Sequence, residues 1–143
     1  MRIPTFDSKP YTISMAADPR LLQGIALFNE QYFFDAHDVW EDLWTETRGP
    51  DRLFFQSLIH AAVALYHWRT HNRPGARNVY GFFLRRSAGY PDTHLGLRFA
   101  KLRRDMADFF SNLDTRDYDA STAPRIDTEE GIEIPPAQPV EEM

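Results

Sequence analysis

The stretch that most constrains this chain runs from Leu53 to Trp68, LFFQSLIHAAVALYHW, and it is apolar almost all the way round. A helix with one wet face shows a single apolar stripe, whereas one that is apolar on every side has to be wrapped by other elements. Its polar exceptions and their continuation, Gln56, His60, His67 and His71, fall within about 60° of one another at 100° per residue. The chain is therefore expected to build a bundle around this helix and to leave one narrow polar line on it.

The flanking sequence supplies the partners. Asp18 before Pro19 marks a helix start, with the aspartate as N-cap and proline where its missing N–H costs nothing. Leu21, Ile25, Phe28 and Tyr32 then recur at helical spacing, which predicts a first helix over 19–32. No glycine or proline follows, yet a turn is expected between Tyr32 and Asp35, with Asp35 capping a second helix that runs to 47 and Asp38 completing a weak capping box. Ala36, Val39, Trp40 and Leu43 form its core stripe. Arg48, Gly49, Pro50 and Asp51 close it and open the central helix, with Asp51 as cap. Arg73 and Pro74 begin a fourth helix, with Ala76, Val79, Tyr80, Phe83 and Leu84 inward, and Gly89 and Pro91 end it. Asp92 or Thr93 caps a fifth, in which Leu95, Phe99, Leu102, Met106, Phe109 and Leu113 repeat. The expected fold is all-α, a compact bundle of about five helices joined by short loops.

At 143 residues the chain fits one domain. Residues 1–17, with Pro4 and Pro10 and no sustained period, read as an extended N-terminal arm, and 18–113 as the helical domain. The remainder, 114–143, holds nine acidic residues against Arg116 and Arg125; the whole chain carries −5, so the tail is net −7 and the rest +2. With Pro124, Pro135, Pro136 and Pro139 in it, this acidic tail is expected to be mostly disordered. The absence of cysteine excludes disulfides and thiolate metal sites. No run approaches the roughly 18 apolar residues of a membrane span, and the N-terminus lacks a signal peptide's apolar run. A cytoplasmic protein is the expectation.

The chemistry is concentrated between Phe28 and Trp44, FNEQYFFDAHDVWEDLW, where Asp35, His37, Asp38, Glu41 and Asp42 lie among aromatics. His37 and Glu41 are spaced i, i+4 on the border of the apolar face, while Asp38 and Asp42 point nearly opposite. His67 and His71 make a second i, i+4 pair on the central helix. Two such pairs on facing helices would offer four ligands to one ion, and imidazole with carboxylate suits zinc, manganese or iron; an open position would suit hydrolysis. The candidate metal ligands are thus His37, Glu41, His67 and His71, and the candidate acid-base groups are His37, Asp38 and Glu41.

Two other readings compete. Residues 30–51 hold seven acids and one base, and residues 69–104 nine bases and one acid. The carboxylates of the second helix would then simply pair with Arg69, Arg73, Arg77 or Arg85 inside the bundle. Alternatively Arg85, Arg86, Arg98, Lys101, Arg103 and Arg104, with Tyr90, form a basic face on helices four and five for RNA or an acidic protein partner, with the acidic tail competing for it. A groove for a peptide or partner helix belongs to the same reading, and a homo-oligomer stays open.

The run FNEQYFFDAHDVWEDLWTE, followed by RLFFQSLIHAAVALYHW and then NRPGAR, resembles the domain of unknown function 309 family over about residues 19–113. His37, Glu41, Trp44, Asn72, Gly75 and Ala76 match the family pattern; Asp35 and Asp38 stand where it has glutamates, Ser57 where it has glycine and His60 where glutamine is common. The resemblance implies a compact all-helical fold whose first two helices form a tetratricopeptide-like hairpin. It implies no activity.

Overall fold

The computed structural model describes residues 18–140. The extended arm expected over 1–17 lies outside the described residues. Five α-helices carry the fold: α1 (Pro19–Asn29), α2 (Phe33–Glu46), α3 (Asp51–Arg69), α4 (Arg73–Ser87) and α5 (Phe99–Phe110). A short hairpin of β1 (Thr93–His94) and β2 (Leu97–Arg98) precedes α5, and a 3₁₀ turn follows at Ala120–Thr122.

α3 is the centre. Phe54, Phe55, Leu58, Ala61, Ala62, Ala64, Leu65 and Trp68 are buried along it, and it packs on α2 on one side and α4 on the other. α1 and α2 form an antiparallel hairpin: Arg20 pairs with Glu46 at one end, the Trp40 indole donates to Leu21 O midway, and Phe28 meets Phe33 at the other. The hairpin implied by the resemblance is thus present. α5 closes the far side of α4 and α3 through Tyr80 stacked on Phe110 and Trp68 on Phe109.

Several boundaries move, each for a readable reason. The turn after α1 comes at Gln31, whose φ of 68° is left-handed; Gln31 N–H donates to Phe28 O and Tyr32 N–H to Leu27 O, the paired bonds that end a helix without glycine. α2 then starts at Phe33 with Tyr32 as N-cap and no side-chain cap. Asp35 is buried inside its first turn and accepts a hydrogen bond from Val140 N. Asp51 likewise does not cap α3 but pairs with His94 at 2.7 Å. Asn72 is the true cap of α4, accepting from Gly75 N at 3.0 Å, and a Cβ on Gly75 would collide with that amide, so the N-R-P-G sequence is one device. Leu84, expected inward, is 46% exposed. Leu95 and Gly96 both have positive φ, which is the two-residue turn of a β-hairpin, and it delays α5 from 93 to Phe99.

The acidic tail overturns its expectation of disorder. Residues 114–140 run back over the domain as a strap: Tyr118 O–H donates to Gln31 Oε1, Ile126 is 2% exposed and its N–H donates to Asn29 Oδ1, and Gln138 N–H donates to Gln23 Oε1. A few apolar anchors and hydrogen bonds to α1 side chains are enough to seat a segment whose composition is otherwise that of a solvated chain.

Candidate metal centre on the second helix

His37, the fifth residue of α2, has its side chain 20% exposed. Its Nε2 lies 3.2 Å from Glu41 Oε2 and its Nδ1 3.2 Å from Asp38 Oδ1. One turn of helix brings Glu41 beneath the ring. Asp38, expected to point away, reaches back to Nδ1 because adjacent side chains on a helix border diverge by only 100°. Both carboxylates are half exposed. The Nδ1 approach is off-axis: the atom is shielded from solvent and makes no hydrogen bond. Phe34, one turn earlier and 47% exposed, covers the His37 ring at 5.4 Å and meets Tyr66 of α3 at 5.6 Å. The sequence block contained Phe34, and its i, i+3 spacing to His37 is the signal that links them.

These three residues form the one group of three or more metal-capable side chains among the described residues, with one donor atom of each lying within 4.8 Å of the others. Two metal bonds of about 2.1 Å at a tetrahedral angle hold their donors about 3.4 Å apart, close to the His37 Nε2 to Glu41 separation. The donor set therefore fits a divalent ion, with Asp38 within reach to add a third donor.

His67 and His71 stand outside this group. α3 ends at Arg69, Thr70 caps it, and His71 takes φ 67°; His71 N–H donates to Trp68 O and Asn72 N–H to His67 O. That termination rotates His71 off the face that carries His67. His67 instead lies beside Asn72, its Nδ1 3.4 Å from the amide.

The segregated charges do not resolve by pairing α2 with α4, because α3 stands between them. Arg69 donates to Gln31 O and covers Phe33; Arg73 and Arg77 pair with Asp117 and Asp114 of the strap; Arg85 lies over Phe82. Lys101 likewise takes Asp105 and the strap's Asp127. The strap thus occupies part of the expected basic face.

Across α3 from the His37 cluster, His60 stacks on Phe82 at 5.4 Å, Arg86 Nε donates to Gln56 Oε1 at 3.1 Å, and the His60 Nδ1 is shielded without a hydrogen bond. Burial, then Arg86 and Arg85, push the His60 imidazole down to about 4, so it is neutral at pH 7. Cavities of about 760 and 790 Å³ lie beneath the strap and do not border His37.

No helix among the described residues is long and apolar enough to cross a membrane, and no curated protein matches the chain. Residues 21–79, which include His37, Asp38, Glu41, His60, His67 and His71, match the family model described as Domain of unknown function (DUF309). That match spans the helical hairpin, the central helix and the start of α4.

Proposed function

We propose that His37, Glu41 and Asp38 hold a divalent cation on α2, and that the domain uses it to polarise a small substrate for hydrolysis. The observation that carries this is the approach of three donors from one helix to within 4.8 Å of one another, with one imidazole nitrogen against each carboxylate. Nitrogen and oxygen donors without thiolate suit zinc, manganese or iron(II). A site with three protein donors on one open helical face leaves positions for water and substrate, and a bound ion would supply Lewis acidity there. The protein's own contribution is to hold the His37 ring beneath Phe34 and against the α2 backbone, so that its donor nitrogen keeps its direction. His67 and His71 do not belong to this ligand set. A cytoplasmic setting goes with this reading, and the cysteine-free composition is compatible with it.

Elemental analysis of untagged protein, before and after dialysis against a chelator, tests the site. Near-stoichiometric metal is expected in the native chain and in His71→Ala, and its loss in His37→Ala and Glu41→Gln. Metal-free protein whose melting is unchanged by added zinc, manganese or iron(II) would overturn the proposal.

A further inference from the structure

The two rims of the α3 polar line address the same middle stretch of that helix. On the α2 side, Phe34 meets Tyr66 and Arg52 covers Trp44, so His37 and Glu41, which lie between Phe34 and Trp44, stand alongside the part of α3 between Arg52 and Tyr66. On the α4 side, Phe82 meets His60 and Arg86 meets Gln56, which fall in that same part. Helices packed at 8–10 Å place the two rims roughly 16–20 Å apart between axes, with side chains reaching inward from both.

The α4 rim carries two cations that find no carboxylate among the described residues. Arg85 rests on Phe82 and Arg86 on the neutral amide of Gln56. The C-terminal turn of α4 favours positive charge, which accounts for arginines there but not for their gathering about one imidazole. Burial first, and then the charges of Arg86 and Arg85, hold His60 neutral, and the Nδ1 of that ring is one of four shielded side-chain atoms among the described residues that make no hydrogen bond. Two guanidinium groups without a carboxylate and an unbonded ring nitrogen thus meet on the α4 side of α3. A paired guanidinium surface beside a neutral ring is suited to an oxyanion with several oxygens, phosphate before carboxylate, because arginine matches that geometry with more than one bond.

We propose that Arg85, Arg86 and His60 bind the phosphate group of a small phosphorylated substrate whose reacting end faces the His37 cluster. This rests on the metal reading for the reacting end, whereas the anion cluster can be measured by itself.

The probe is inorganic pyrophosphate, titrated calorimetrically into chelator-treated protein and again after zinc or manganese is restored, with the His60 ring followed by NMR. Pyrophosphate is expected to bind without metal, to raise the His60 titration midpoint by a unit or more as it neutralises the two arginines, and to bind at least tenfold more weakly to Arg85→Ser/Arg86→Ser. Should the double variant prove unfolded by circular dichroism, Arg85→Ser alone, which gives up only the Phe82 contact, is expected to weaken binding several-fold. Equal affinity in native and variant protein, or binding that leaves His60 unmoved, would overturn the anion site. Loss of metal binding with the pyrophosphate response intact would overturn the metal reading and leave the anion cluster standing.

Discussion

Gly24 of α1 lies against the indole of Trp40 of α2 so closely that a Cβ at position 24 would overlap the ring nitrogen that donates to Leu21 O. The hairpin holds its spacing because one partner has no side chain. Gly24→Ala therefore forces Trp40 out of its seat despite the better helix propensity of alanine, and a loss of about 1–3 kcal/mol is expected. Urea denaturation with tryptophan fluorescence checks it; an unchanged midpoint would show that the indole can move at no cost.

His71 has the opposite problem, a side chain where none is wanted. Its left-handed backbone at the end of α3 costs an L-residue about 1 kcal/mol, and glycine would not incur that strain. His71→Gly is expected to raise stability by up to about 1 kcal/mol and to leave metal content unchanged. Destabilisation together with lost metal would restore His71 to the ligand set.

His60 makes stability depend on pH in a defined direction. The folded ring titrates near 4 and the unfolded one near its ordinary 6.5, so between these values the unfolded chain binds more protons. Stability is full above 6.5 and declines as pH falls toward 4. The ring is only partly buried, which limits the loss to about 1 kcal/mol. His60→Gln should flatten this part of the profile, and urea midpoints at pH 7 and 4.5 would reveal it. Identical slopes in both proteins would contradict the assignment.

The strap depends on few anchors. Ile126 is its best-buried aliphatic side chain, packed into the main core while its backbone bonds Asn29. Ile126→Ala should cost about 2–4 kcal/mol at most, with amide exchange rising over residues 118–140 while α3 stays protected. Uniform loss of protection throughout the domain would show that the strap and bundle unfold as one unit.

Much of this molecule is legible in its residues, and the failures have physical causes. The all-round apolar run of α3, the Asp18–Pro19 start and the Gly49–Pro50 stop are local signals, and they place helices because local geometry decides them. His37 with Glu41 also follows from spacing within one helix. His67 with His71 does not, because their relation depends on whether the helix continues, and Thr70 and Asn72 end it without glycine. Leu95 and Gly96 interrupt a pattern that keeps helical period across a two-residue turn. The strap is the largest miss: its seat includes Gln23, Asn29, Gln31 and Asp35, polar residues on another part of the chain, and composition within 114–143 carries no trace of them. The grouping of Arg85, Arg86 and His60 is likewise a product of α4 lying on α3.

Asp35 accepts from the backbone of a residue 105 positions later, and Gln23 from one 115 positions later. During synthesis, α1 through α4 can meet their mutual partners as soon as each has emerged, since neighbours in sequence are neighbours in space. The Asp35 to Val140 bond has to wait until nearly the whole chain has been made. A nascent chain that has emerged past Phe110 but not yet to Tyr118 would therefore hold a bundle that is helically complete yet still bare along α1, with Asn29 and Gln31 open to any extended segment that reached them first.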